Sequence, residues 1–218
     1  MTKSVVIFLF FSLLFTSAYG AKTIEVIAVE YYPFTTNTMP TGGIAFELLN
    51  ELSVNEKYRW KPKFLPPKRA YYKVESGDWC ASFYPPHGEK NHTIYSLGKD
   101  VVNIGLIRLA KTSPFDWSSL SEFNGKSLAM LRTGPDSDYL KLLQKSGVEI
   151  VFVETIERAI MMVLLNRVDM AMIDNISYTN ITLEHKQKLQ FSNTFLDSMN
   201  LRLFVNKECN LSLPSLQK

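Results

Sequence analysis

The sequence predicts an α/β protein of two lobes, with mostly parallel sheets and a cleft between the lobes. Three observations predict it. Strand-like and helix-like segments alternate along residues 21–218, the pattern of layered α/β folds with parallel sheets. The alternation comes as two similar series, each running strand, helix, strand, helix, short strand. No low-complexity linker separates the series, so the lobes are expected to share strand-like hinges near Ile107–Lys111 and near Met199–Phe204. Lobe one is then residues 21–107 with 200–218, and lobe two is residues 108–199.

Each element has a local reason. Thr23–Val29 alternates polar and apolar and becomes β-branched, a strand. Gly42-Gly43 breaks the chain, and Ile44–Leu52 carries apolar residues at helical spacing. Tyr58–Leu65 reads as a strand stopped by Pro66-Pro67, and Lys68–Val74 as a helix ending near Gly77. Trp79–Tyr84 and Val101–Ala110 read as strands. In the second series, Leu120–Phe123 is a short helix closed by Asn124-Gly125. Ser127–Leu131 is a strand, Asp136–Gln144 a helix and Glu149–Val153 a strand. Thr155–Leu165 is a helix with an N-cap threonine and Glu157 in its first turn. Met170–Ile173 is a strand, Tyr178–His185 a helix and Leu201–Val205 a closing strand.

The first 20 residues read as an export signal. Lys3 gives a positive start, Val5–Phe15 is apolar but for one serine, and Ala18-Tyr19-Gly20 offers small residues at the cleavage positions. The apolar run is shorter than the roughly 20 residues a membrane-spanning helix needs. The expectation is therefore a signal peptide at 1–20 and a mature protein, soluble in the periplasm, beginning at Ala21. The formal net charge is +3, and the basic residues are scattered. Without a basic stripe there is no footprint of nucleic-acid binding. The two cysteines, Cys80 and Cys209, can form a disulfide in an oxidising compartment or stand as separate buried thiols. His87, His92 and His185 have no metal-ligand spacing. A nucleophile elbow and a P-loop are both missing. No catalytic residue, metal or cofactor is expected.

Five segments, in this order, resemble those of the extracellular solute-binding proteins of the amino-acid type, whose fold is the type II periplasmic-binding-protein fold. They are Tyr31-Tyr32-Pro33-Phe34; Gly42-Gly43-Ile44-Ala45-Phe46-Glu47-Leu48-Leu49; Pro67-Lys68-Arg69-Ala70 with Ser76-Gly77; Asn124-Gly125-Lys126-Ser127; and Arg167-Val168-Asp169-Met170-Ala171-Met172-Ile173-Asp174. The resemblance covers nearly all of residues 21–218. It implies a monomer that captures a small polar ligand, an amino acid being one option, for an inner-membrane ABC permease or a sensor protein. The sequence departs from the pattern in several places, two of them in lobe one. The family often carries an arginine before a Phe-Ser pair to hold a ligand carboxylate, whereas Tyr95-Ser96 is preceded only by Glu89-Lys90. Cys80 stands where an aspartate is expected.

The ligand-binding candidates are Tyr31, Phe34, Arg69, Lys90, Arg132, Gly134, Ser137 and Asp174. Tyr31 follows a strand's C-terminal end, where open α/β sheets place ligands. Its ring either stacks on a ligand or packs under its loop. Asp174 also ends a strand, and either pairs with a ligand ammonium or caps the next helix. Arg132 and Lys90 offer positive charge to an anionic group, or serve as solvated surface charges. Gly134 and Ser137 precede a helix, so their N–H groups either hold a carboxylate or make a plain loop and cap. Arg69 matches a family position, or forms a surface salt bridge. With the family arginine missing, the sequence reading favours a ligand with a cationic amine.

Overall fold

The computed structural model describes residues 21–54, 57–86, 91–135, 137–214 and 216. The expected signal peptide, Lys90 and Asp136 lie outside them. The strands are β1 (Lys22–Ala28), β2 (Tyr58–Phe64), β3 (Ala81–Ser82), β4 (His92–Leu109), β5 (Ser127–Leu131), β6 (Glu149–Val153), β7 (Met170–Asp174), β8 (Leu189–Phe191) and β9 (Asp197–Asn206). The helices are α1 (Ile44–Leu52), α2 (Pro67–Glu75), α3 (Asp138–Lys145), α4 (Ile156–Leu164), α5 (Asn175–Thr179) and α6 (Leu183–Lys188), with 3-10 turns at Leu120–Phe123 and Lys207–Cys209.

Hydrogen bonding links the strands in the order β2-β1-β3-β9-β4-β7-β5-β6, with β8 on β4. Both flanks are parallel: β1 with β2 and β3, and β5 with β6 and β7. The centre is antiparallel, made by β4 and β9. These two strands run through both halves of the molecule. Tyr95, Leu97, Leu203 and Val205 pack in one core with Val26, Phe46 and Trp60. Further along β4, Leu106 and Ile107 enter the second lobe's cores, with Leu128, Met130, Ile156 and Ile173. Ile107, read from sequence as the last residue of lobe one, thus packs with lobe two.

Where the β4–β9 pairing passes between the cores, its register shifts between Ser96 and Val101. Gly98 sits there at φ 142, a region side chains seldom enter. The strand continues through Gly98 as a bulge. The chain from His92 to Leu109 is one strand, and only its second half was legible.

Other differences are equally local. The expected strand over Trp79–Tyr84 pairs only at Ala81–Ser82. Trp79 is drawn back onto the end of α2, its N–H bonding the Gly77 carbonyl and its Nε1 the Val74 carbonyl at 2.8 Å. The expected helix over Tyr178–His185 is two short helices, because Thr182 caps the second by accepting from the His185 N–H. Cys80 and Cys209 form a disulfide with Cα atoms 5.5 Å apart, tying the turn after β9 to lobe one. Asp169 accepts from the Ser127 N–H at 2.9 Å, its hydroxyl at 2.8 Å and the Lys126 ammonium at 3.2 Å. The Arg167-Val168-Asp169 motif therefore anchors the start of β5.

Candidate functional site

The loop after β1 is shaped by its own backbone. The Tyr31 and Thr35 main chains bond each other in both directions, at 2.7 and 3.0 Å. Thr35 Oγ1 donates to the Val29 carbonyl at 2.7 Å. The N–H groups of Ile44 and Ala45, at the start of α1, donate to the carbonyls of Pro33 and Phe34. Gly43 permits this approach. It lies at φ 103, and a Cβ there would sit 2.5 Å from the Phe34 oxygen. The double glycine is thus what seats Tyr31–Phe34 on the helix.

From this seat Tyr31 reaches across to the other lobe. Its ring packs against core residues of both lobes and lies edge-on to Phe34 at 6.0 Å. Burial pushes its hydroxyl well above the usual tyrosine range. The nearby Asp174 carboxylate pushes it further. Asp174 is completely buried at the end of β7. It also caps α5, accepting from the Ser177 N–H at 2.7 Å and the Ser177 hydroxyl at 2.5 Å. That hydroxyl lies 3.0 Å from the Tyr32 carbonyl, a second link between the lobes.

Two more lobe-one tyrosines meet the loop after β5. Gly134 is buried against Tyr71, so closely that a Cβ on it would lie 2.2 Å from the ring. Burial raises the Tyr84 hydroxyl, while the nearby Thr133 side chain and Gly134 backbone offset part of that rise. Tyr84, Tyr31 and Tyr71 share an apolar cluster with Leu131 of lobe two. The strand ends of both lobes are thereby joined through three tyrosines.

The remaining sequence candidates are dispersed. Ser137 caps α3, accepting from the Leu140 N–H at 3.5 Å, and donates its own N–H to the Gly134 carbonyl. Arg132 turns to its own lobe, with Nε 2.8 Å from Glu154 and the guanidinium over the Phe152 ring. Arg69 is exposed on α2. Tyr31, Phe34 and Asp174 are thus brought together, Gly134 and Ser137 form a second group, and Arg132 and Arg69 stand apart. Sequence reasoning missed Tyr71, Tyr84 and Ser177. Tyr71 follows the Arg69-Ala70 pair directly, and Ser177 sits three residues after Asp174, the spacing of an N-cap partner.

Beside this contact runs an open groove of about 600 Å³. The 30–38 loop forms one wall, and α4 with the α5–α6 segment forms the other. A smaller groove of about 290 Å³ continues past Glu30 to Pro66 and Glu154. Among the described residues, no group of three or more His, Cys, Asp or Glu could hold a metal ion. No helix among them is long and apolar enough to cross a membrane.

No protein-family model matches the sequence, and no curated protein matches it. Solved structures do. The arginine-bound form of truncated ArgBP from T. maritima is 15% identical with a TM-score of 0.67, covering 88% of this chain and 92% of that one. The GluR0 ligand-binding core from Nostoc punctiforme, in complex with L-glutamate, is 14% identical with a TM-score of 0.64, covering 84% of each chain. The Bordetella pertussis BvgS VFT2 domain is 16% identical with a TM-score of 0.63, covering 88% and 82%. This chain has the two-lobed type II periplasmic-binding-protein fold. In that fold the cleft runs between the lobes, where Tyr31 meets Asp174 and Tyr71 meets Gly134.

Proposed function

We propose that the chain is a non-enzymatic binding protein that captures a small polar solute between its lobes outside the cytoplasm and presents it to an inner-membrane ABC permease. One observation carries the reading. Groups at strand ends of both lobes converge on one cleft, with Tyr31 packed against the cores of both lobes and an open groove alongside. Binding sites favour such concave places with a few converging polar groups. Tyr31, Phe34, Gly134, Ser137 and Asp174 are the proposed cleft contacts, and Arg69, Lys90 and Arg132 are the proposed positive charges for an anionic group of the ligand. The glutamate and arginine bound in similar structures support an amino-acid-like solute.

A second reading is a sensory module acting on a receptor or kinase. It is favoured by the interlobe tyrosines, which hold the lobes together with the protein's own side chains.

A thermal-shift screen of amino acids, amines and organic acids tests binding. A ligand at 100 times its Kd contributes about 2.7 kcal/mol, which raises Tm by roughly 5–10 °C in a domain of this size. Asp174→Asn should weaken that binding by about 1.5–3 kcal/mol, the range for a hydrogen bond to a charged group. A flat screen sinks the binding reading. Co-purification with a permease, against co-purification with a kinase, separates the two partners.

A further inference from the structure

The 600 Å³ groove has a chemistry of its own, distinct from the Tyr31–Asp174 contact. Its floor is apolar, made by Ile156, Ile160 and Met161 of α4 together with Ile181. Met161 is 40% exposed there, and the Tyr32 ring across from it is 38% exposed. Water therefore wets apolar surface that an occupant would cover. Two carboxylates stand over this floor, one from each lobe. Glu30 follows β1 and is steadied by the Asn37 N–H, which donates to its Oε2 at 3.1 Å. Glu157 lies in the first turn of α4. Neither forms an ion pair among the described residues. No lysine or arginine is among the described residues that line the groove. Thus an apolar strip runs beside two carboxylates with no ion-pair partner among the described residues and an exposed tyrosine, and His185 also lines the groove.

We propose that this groove binds an organic amine with an apolar body, its ammonium held by Glu30 and Glu157 and its hydrocarbon laid on Ile156, Ile160 and Met161. The inference rests on the binding-protein reading and gives the groove a ligand class of its own. An ammonium over the Tyr32 ring gains cation–π attraction. Its partners come from both lobes, so an occupant ties the lobes together and favours closure by its differential affinity for the closed state.

Calorimetry on the purified protein with 1,5-diaminopentane tests this, with 1,5-pentanediol as the uncharged control of similar shape. The diamine should bind and the diol should bind at least tenfold more weakly. Glu30→Gln and Glu157→Gln should each weaken the diamine about five- to tenfold. Glu25→Gln, on β1 and paired with Lys63, should leave its affinity unchanged. Circular dichroism checks the fold of each variant. Equal binding of diol and diamine overturns the proposal, as does binding that neither glutamate variant alters. Loss on Asp174→Asn with both glutamate variants unaffected places the amine in the cleft, and also overturns it. If the diamine does not bind while an amino acid shifts Tm, the groove proposal fails and the binding-protein reading stands. If neither is active, both fail.

Discussion

Gly134→Ala should open the cleft. Gly134 is buried against Tyr71, and its backbone does not lie in the left-handed region, so alanine is allowed there conformationally. Space is what alanine lacks. The new Cβ would lie 2.2 Å from one Tyr71 ring carbon and 2.5 Å from the next, where ordinary contact begins at 3.4 Å. The ring or the loop must yield by about 1.2 Å. Overfilling a packed site costs about 1–3 kcal/mol. Charged to the closed state, that shifts the closed-to-open ratio by roughly 5- to 150-fold. Small-angle scattering should report a larger radius of gyration, and hydrogen exchange should speed up at the amides of Thr133 and Ser177. Far-UV circular dichroism should remain unchanged, since Gly134 lies in a loop between β5 and α3. The double variant Gly134→Ala/Tyr71→Ala removes the opposing ring and should return the exchange pattern toward that of Tyr71→Ala alone. An unchanged radius and unchanged exchange in Gly134→Ala would refute the claim that this contact holds the lobes together.

Three further outcomes follow from other contacts. Cys80 and Cys209 are 129 residues apart in sequence, and on the chain-entropy argument closing so long a loop contributes roughly 5 kcal/mol; the double serine variant should lose up to that amount in denaturant unfolding, and no change in midpoint would contradict the pairing. Burial and the Asp174 carboxylate raise the Tyr31 hydroxyl, and burial also raises Tyr84 and Tyr139. A raised folded pKa means the stabilisation is complete below the unfolded value near 10 and is lost as pH rises through the folded values, so Tm should fall above pH 10 and fall less in Tyr31→Phe. Burial works against ionisation of Asp169, but hydrogen bonds from the Ser127 backbone and hydroxyl and from Lys126 outweigh it and hold the carboxyl below its usual range. Its contribution is present above pH 3.8 and is lost as pH falls through the lowered value, so Asp169→Asn should flatten the acid limb of the stability profile and leave neutral Tm lower than wild type.

Short-range physics made much of the fold legible from residues alone. Period-two and period-3.6 apolar spacing set α1, β5, β6 and α4 nearly to the residue, because each pattern leaves one face to bury. Thr155 and Ser137 marked helix starts because a capping hydroxyl acts within three residues. The Gly42-Gly43 pair signalled a break that proved to be the seat of the Tyr31–Phe34 loop.

Contacts between groups far apart in sequence were decided only by the tertiary structure. Whether Cys80 meets Cys209 depends on β3 lying beside the end of β9. Asp174 left both its readings open in sequence; in the structure it is buried at the end of β7 and caps α5. Tyr71 and Tyr84 carry no local mark of facing Gly134 and Thr133, since their side chains are placed by the docking of one lobe on the other. Glu30 and Glu157 share a groove for the same reason. Helix and strand propensities act over a few neighbouring residues, whereas a cleft is assembled from chain ends of several strands, and only the packed cores determine which ends meet.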